Sequence, residues 1–264
     1  MSPRRVRDSA SVPGFWHDLD GAGAIIRDVD RVELKFMIAD VDRDRLMAVL
    51  RVDPARTQCR QAWFLDTNRL ALARRGVVVR ARRTRGGRAD LVVKLRRSEP
   101  VRLPVWLRRS PNLSVEADAL PGLSVWTAAL ARRVRHASMA AVIDGREVPA
   151  VLLSAEQRRL VREPTGKPVA LADLCILGPV EITRARTGSA VAGPKMVLES
   201  WAFPDGSRLL EVSTKCSPAR AVRVAARMGA FLVEHGVELG AVQDTKSWTS
   251  LEYFTGQVRL AGHP

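Results

Sequence analysis

The alternation of apolar and polar side chains is strictest over Arg31–Ile38. The polar face of this stretch carries an acid and a base two positions apart, Glu33 and Lys35, and the apolar face carries Val32, Leu34, Phe36 and Ile38. A period of two, in residues that include β-branched and aromatic side chains, predicts a β-strand. We therefore expect a strand with one apolar and one charged face.

The same combination of an apolar and a charged face recurs later in the chain. It predicts further strands at 62–67, 77–83, 91–96, 180–186, 195–203 and 208–215. The segments 77–83 and 91–96 flank a Gly-Gly hairpin signal, and in both the cations share one face. Apolar spacing and capping residues predict helices over about 40–50 and 217–235.

The middle of the chain, residues 97–176, has a different texture, with four prolines in its first third. Apolar residues at helical spacing predict a helix over Leu123–Val134. Ser154 and Gln157 form a capping-box pattern for a short helix that ends near Arg162. We therefore expect a helical insert at about 97–176.

These patterns divide the chain into three parts. Residues 1–29 lack periodicity and are expected to form a flexible N-terminal segment. One domain is expected over 30–236, including the insert. Residues 237–264 form a C-terminal tail whose structure the pattern does not predict.

Two arrangements of such strands agree with the pattern. In the first, the aliphatic faces form the core and the charged faces meet water, as in many antiparallel sheets. In the second, the sheet curls into a closed barrel with a charged lumen, and helices cover the aliphatic outside. A small barrel of this kind encloses one ligand.

The composition is ordinary for a folded protein, with 264 residues, 46% of them apolar and 27% charged. No apolar run approaches the roughly 20 residues of a membrane-spanning helix, and no secretory signal follows the basic start. Cys59, Cys175 and Cys216 have no paired spacing, which argues against a structural zinc site. We expect a cytoplasmic protein without a membrane partner.

The formal net charge is +15, and 37 of the 43 basic residues are arginine. Part of this arginine content reflects codon bias, but a positive field of this size attracts nucleotides, polyphosphate or nucleic acid. A nucleic-acid surface would use Arg82, Arg83, Arg85, Arg108 and Arg109. Aromatic residues are only 5% and do not alternate with basic ones, so nucleic acid is the second choice. Nothing in the sequence predicts an oligomer.

The order of the charged strands resembles the CYTH superfamily, the triphosphate tunnel metalloenzymes. That family begins with a Glu-x-Glu-x-Lys strand, and Arg31-x-Glu33-x-Lys35 stands in the matching place. Its Phe-Asp-Thr turn resembles 64–67. Its later charged strands resemble Arg80-x-Arg82, Lys94, Arg184-x-Arg186, Glu199, and Glu211 with Lys215.

The resemblance covers about 31–96 and 178–236, and it decides between the two arrangements. It implies an α+β domain: an antiparallel β-barrel, or tunnel, of about eight strands, with a polar lumen and with helices packed on the outside. A barrel of this size can surround one triphosphate.

The resemblance also implies a site in this lumen. Lys35, Arg82 and Lys94 would be catalytic, and Glu33, Glu199 and Glu211 would bind Mg²⁺ or Mn²⁺. The substrate phosphates would be bound by Arg80, Arg82, Lys94, Arg184, Arg186 and Lys215. Carboxylates alone repel phosphate, whereas a divalent ion takes oxygen ligands from both. The implied activity is hydrolysis of the terminal phosphoanhydride of a triphosphate-containing compound.

Two positions depart from the family pattern. Arg31 stands where the first Glu belongs, and Ser213 stands where a second closing acid often falls. Two missing carboxylates weaken a metal site, and an added cation strengthens anion binding. A catalytically weak polyphosphate- or nucleotide-binding protein is therefore one alternative. The others are an adenylate cyclase-like activity, as in some relatives, and nucleic-acid binding through the basic surface.

Overall fold

The computed structural model describes residues 25–26, 29–53, 55, 57–162, 169–187, 195–240 and 243–261. Nine strands lie within these residues: β1 (Arg31–Ile38), β2 (Gln58–Asp66), β3 (Val77–Thr84), β4 (Ala89–Arg97), β5 (Leu113–Leu120), β6 (Leu123–Val134), β7 (Cys175–Arg186), β8 (Val197–Ala202) and β9 (Arg208–Cys216). They form a closed barrel in the order β1-β5-β6-β4-β3-β2-β7-β8-β9, in which β9 pairs with β1. Every pairing is antiparallel except β1 with β5.

Helices connect and surround these strands. The α-helices are α1 (Arg43–Val49), α2 (Val105–Arg108), α3 (His136–Ile143), α4 (Ala155–Arg162), α5 (Ala221–Glu234) and α6 (Lys246–Ala261). Short 3₁₀ helices lie at Asp40–Asp42, Ala73–Arg75, Pro149–Leu152, Leu171–Asp173 and Pro218–Arg220. The capping box is confirmed, since the Ser154 and Gln157 side chains each bond the other residue's backbone N–H at 3.1 Å.

Two apolar clusters hold the barrel together. The larger lies outside it, where the aliphatic faces of the strands, such as Val32 and Leu34, pack against Leu46 of α1 and Leu232 of α5. The smaller lies at one end of the lumen. It joins inward-facing strand residues, Trp201 among them, to Leu251 of α6. We call this apolar region, which α6 covers, the closed end.

The expected charged barrel is confirmed, but three details of the prediction were wrong. The barrel has nine strands instead of about eight, and one of its pairings is parallel. Leu123–Val134 is strand β6, not a helix. The segment 97–176 therefore holds two barrel strands as well as helices. The predicted flexible segment 1–29 lies almost entirely outside the described residues.

Candidate functional site

Strand register brings the charged faces together inside the barrel. Glu33 is level with Lys215 on β9 and with Asp118 on β5, and Arg184 on β7 is level with Glu199 on β8. On β1 and β5, the neighbours of Glu33 and Asp118 along the strand point outward into the larger apolar cluster. The alternation seen in the sequence is therefore the division between a charged lumen and an aliphatic outside.

At the end opposite the closed end, the lumen widens into a cavity of about 470 Å³, which we call the mouth. Its charged lining is Glu33, Glu199, Arg184, Lys195, Lys215 and Arg220. Ser213, at the position of the missing closing acid, also lines it. Four cations against two carboxylates leave the mouth positive, which suits an anionic ligand.

A buried ion-pair network lies deeper in the barrel. Lys35 Nζ is 2.8 Å from Asp118 Oδ1 and 3.2 Å from Glu33 Oε2. The guanidinium of Arg96 approaches the other oxygen of Asp118 at 3.6 Å. Burial disfavours the charge on Lys35, but Asp118 and Glu33 outweigh it and raise the pKa of Lys35 above its ordinary value. Lys35 is therefore held by carboxylates on two strands.

The first residue of α6 reaches the same interior from the closed end. Lys246 is 9% exposed, and its Nζ donates to Glu199 Oε2 at 2.5 Å and to Glu211 Oε1 at 2.7 Å. It also lies 5.1 Å from the centre of the Trp201 ring. Burial raises the pKa of Glu199, but the Lys246 ammonium and further donors outweigh it, so the net pKa is lowered.

Two other lumen cations have no such partner. Among the described residues, neither Arg80 nor Lys94 makes a hydrogen bond or ion pair, although Arg80 lies 6.0 Å from the Trp201 ring. Burial lowers the pKa of Lys94 to about 8, and the nearby cations Lys35, Arg96 and Arg80 lower it against the attraction of Asp118. Burial likewise lowers the pKa of Arg80.

The remaining predicted substrate-binding residues lie closer to solvent. Arg82 donates two hydrogen bonds to Asp90, and Arg184 Nε is 3.4 Å from Glu199. Lys215 bonds both oxygens of Glu116 at 2.7 Å. Arg186 is exposed and is not part of the lining of the mouth. The structure thus brings all of the predicted cations except Arg186 into the lumen or its mouth.

The predicted metal ligands do not form a metal site in this arrangement. Glu199 and Glu211 share the Lys246 ammonium, and Glu33 pairs with Lys35. Within the part of the chain that the structure describes, no group of three or more His, Cys, Asp or Glu side chains could hold a metal ion. The Lys246 ammonium occupies carboxylate oxygens of Glu199 and Glu211 that a divalent ion would need as ligands, so the residues present do not fit Mg²⁺ or Mn²⁺.

Sequence reasoning missed five charged residues of this site: Arg96, Asp118, Lys195, Arg220 and Lys246. A signal existed for Asp118, since Glu116 and Asp118 alternate with the apolar side chains of β5. Lys246 gave no signal, because it is one lysine in a tail without a strand pattern.

Comparisons with known proteins address the fold. No family model matches the chain, and no curated protein matches it. Among solved structures, it is similar to HpAC1 from Hippeastrum, a proposed adenylyl cyclase described as having a dominant triphosphatase activity. The TM-score is 0.56 at 15% identity, over 84% of this chain and 94% of that chain.

A second similar structure is a proposed adenylate cyclase from Bacillus halodurans. The TM-score is 0.55 at 11% identity, over 80% of this chain and 94% of that chain. No described helix has the length and apolar character needed to cross a membrane. At these identities the likeness shows the fold, so the chain has the closed tunnel barrel expected from the strand motifs that resemble the CYTH superfamily.

Proposed function

We propose that the barrel lumen binds a triphosphate-containing compound and that the protein hydrolyses its terminal phosphoanhydride bond. One observation carries the proposal: Arg80 and Lys94 lie in the lumen without a hydrogen bond or ion pair among the described residues. Burial disfavours the charge on both cations, and no described carboxylate lies close enough to either of them to supply a direct counter-charge. An anionic ligand that enters through the positive mouth would supply that charge.

The charge and geometry of the cations suit phosphate groups. One charge pair at 4 Å is worth about 4 kcal/mol at an effective dielectric constant near 20, so several cations can hold a triphosphate strongly. The forked guanidinium groups of Arg80 and Arg184 match two phosphate oxygens at once. The dominant triphosphatase activity described for HpAC1, which shares this fold, supports the same class of ligand.

In the proposed reaction, water attacks the terminal phosphorus while the bond from that phosphorus to the bridging oxygen breaks. The products are orthophosphate and the shortened phosphate chain. Arg80 and Arg82 would stabilise the charge that develops on the transferred and leaving oxygens. Lys94, with its pKa near 8, can donate a proton to the leaving oxygen close to neutral pH, while the attacking water releases a proton to the solvent, from which the amine is protonated again.

The test is phosphate release from inorganic triphosphate and from ATP, each with Mg²⁺, with Mn²⁺ and with EDTA. Metal dependence, which the resemblance to the CYTH superfamily implied, is thereby measured directly. We expect release by the unaltered protein and a loss of about 10²-fold or more in Arg80→Met and Lys94→Met. The matched controls are Arg108→Met and Arg109→Met, which remove the same charge from exposed positions.

Each other outcome identifies a different function. Triphosphate binding without release would make this a binding protein, which the pairing of Glu199 and Glu211 with Lys246 favours as the second candidate. Formation of cyclic AMP from ATP would indicate cyclase activity. The absence of both triphosphate binding and phosphate release would contradict the proposal. Nucleic-acid binding that is lost in Arg108→Met and Arg109→Met would instead indicate a function of the basic surface.

A further inference from the structure

Lys246 pairs with two of the carboxylates, Glu199 and Glu211, that the resemblance to the CYTH superfamily implied as metal ligands. Its Nζ lies within 2.7 Å of one oxygen on each of Glu199 and Glu211. Both glutamates face the lumen at paired positions of adjacent strands. One ammonium therefore sits between two carboxylates, in the place that a divalent ion would take.

The other carboxylates of the interior cannot complete a metal site around this point. Glu33 and Asp118 are both bound to Lys35. Ser213, next in line on β9 after Glu211, brings a hydroxyl instead of a carboxylate, and Arg31 at the rim brings a positive charge. Relative to the family pattern, the chain therefore has one added cation, at position 31, and a neutral side chain at position 213.

Closure of the barrel does not require a charge at this position. Among the other buried residues of α6, Leu251 and Phe254 are apolar and pack in the closed end with Trp201, and Ser247 and Ser250 are uncharged. Burying three charged groups is expensive relative to an apolar contact of similar size. The Lys246 ammonium contacts Glu199, which lines the mouth, so its positive charge acts where an anionic ligand would bind.

We propose that Lys246 is a tethered cation that replaces the divalent metal ion in this barrel. Together with Arg184, which lies 3.4 Å from Glu199, its charge offsets the two carboxylates and reduces the repulsion that they would exert on a phosphate group. Its role is to position these carboxylates and offset their charge, without contact to the reacting atoms. A polyphosphate would then bind in the lumen without Mg²⁺ or Mn²⁺, and this part of the inference rests on the function proposed above.

The first experiment measures Mn²⁺ binding without any phosphate ligand, by the electron paramagnetic resonance signal of free Mn²⁺. We expect no Mn²⁺ site in the unaltered protein or in Lys246→Arg, which keeps the charge. In Lys246→Met the two freed carboxylates create a Mn²⁺ site whose affinity exceeds any residual Mn²⁺ binding of the unaltered protein by at least about tenfold. Adding Glu211→Gln to Lys246→Met abolishes that Mn²⁺ site. The control Arg227→Met, which also removes one positive charge but at an exposed position on α5, creates no Mn²⁺ site.

The second experiment measures the binding of inorganic triphosphate by calorimetry, in EDTA and in Mn²⁺. The unaltered protein should bind it with the same affinity, within about twofold, in both. Lys246→Met should lose about tenfold or more in EDTA and recover in Mn²⁺, because the metal then supplies the missing positive charge. Arg227→Met should behave as the unaltered protein does.

Thermal unfolding separates this role from a purely structural one. Removing one partner of a buried pair destabilises a fold, so Lys246→Met is expected to melt at a lower temperature. If the inference holds, Mn²⁺ raises the melting temperature of Lys246→Met and leaves that of the unaltered protein unchanged. A stability loss without a new Mn²⁺ site would mean that Lys246 only fastens α6, and it would overturn the inference.

Failure of this inference and failure of the proposed function give different results. If Lys246→Met folds under no condition, the unaltered protein decides: Mn²⁺ binding, or triphosphate binding that requires Mn²⁺, contradicts the replacement. If no triphosphate binds under any condition, the proposed function fails. A Mn²⁺ site created by Lys246→Met would still establish that the ammonium occupies a metal position.

Discussion

The two ends of the lumen differ in how their inward-facing residues are used. At the closed end, apolar strand residues pack against α6, and Lys246 at its inner boundary is shared by two glutamates. At the mouth, Lys195 and Arg220 are exposed around a cavity of about 470 Å³. Burial and pairing therefore stabilise the closed end, whereas the mouth keeps positive charge available. The closed end therefore contributes mainly to stability, and the mouth contributes mainly to ligand binding.

The ion-pair network between these ends should give the largest effect on stability. In Lys35→Met, Asp118 loses its closest cation although its side chain stays buried. We expect the free energy of unfolding at pH 7 to fall by about 3–5 kcal/mol, measured by urea denaturation. Lys195→Met, at the exposed rim, should change it by less than about 0.5 kcal/mol.

The pH dependence of the same variant has a defined sign. In the unaltered protein, burial raises the pKa of Asp118, but Lys35, Lys94 and Arg96 together lower it below its ordinary value. Its stabilising contribution is therefore present above the unfolded-state pKa, near 3.9, and is lost as the pH falls further. The difference between Lys35→Met and the unaltered protein should shrink below about pH 4. A difference independent of pH would contradict this assignment.

The closed end should respond to a cavity. Leu251 on α6 is 1% exposed and packs in the smaller apolar cluster. Leu251→Ala should lower the free energy of unfolding by about 3 kcal/mol, because it removes buried methyl groups and leaves a void. Val222→Ala, at a residue that is 49% exposed on α5, is the control and should cost less than about 0.5 kcal/mol. Equal effects would mean that α6 does not seal the barrel.

The same contrast explains which features the sequence could predict. The lumen positions of Glu33 and Lys35 followed from alternation, because a period of two separates the faces of a strand. The error at β6 has a simple cause: Trp126, Leu130 and Val134 are four residues apart, and four is both a helical spacing and a multiple of two.

Residues that reach the site from outside the strand pattern could not be found in this way. Lys246 enters the lumen from a helix that covers the closed end, and only the packing of α6 brings it to Glu199 and Glu211. Arg220 reaches the mouth from the 3₁₀ turn before α5. The alternation of residues in a strand cannot predict side chains such as these, which reach the site from helices and turns through tertiary packing.

Between the two ends, Lys94 should make ligand affinity depend on pH. Burial lowers its pKa to about 8, and Asp118, Lys35, Arg96 and Arg80 are the charged groups that influence it. A triphosphate favours the protonated amine, so deprotonation above pH 8 opposes binding. At pH 9 about one tenth of Lys94 is protonated, and the affinity for inorganic triphosphate should fall about tenfold from pH 7.

The matched measurement for this pH dependence is calorimetry with Lys94→Met over the same range. Ionisation of the triphosphate itself affects both proteins equally, so the difference between the two profiles reports Lys94 alone. The unaltered protein should lose its advantage over Lys94→Met as the pH rises through 8. Parallel profiles would show that Lys94 does not meet the phosphate charge.

The smallest effect on stability is expected at the mouth itself. The Lys215 side chain is 43% exposed, and its pair with Glu116 meets solvent, so Lys215→Met should change the free energy of unfolding by less than about 1 kcal/mol. The same change should weaken triphosphate binding about threefold at 50 mM NaCl and less at 300 mM, because salt screens exposed charges. Urea denaturation and calorimetry on one preparation measure both quantities. A stability loss as large as that of Lys35→Met would show that the mouth is held as firmly as the interior, and the division between the two ends would then fail.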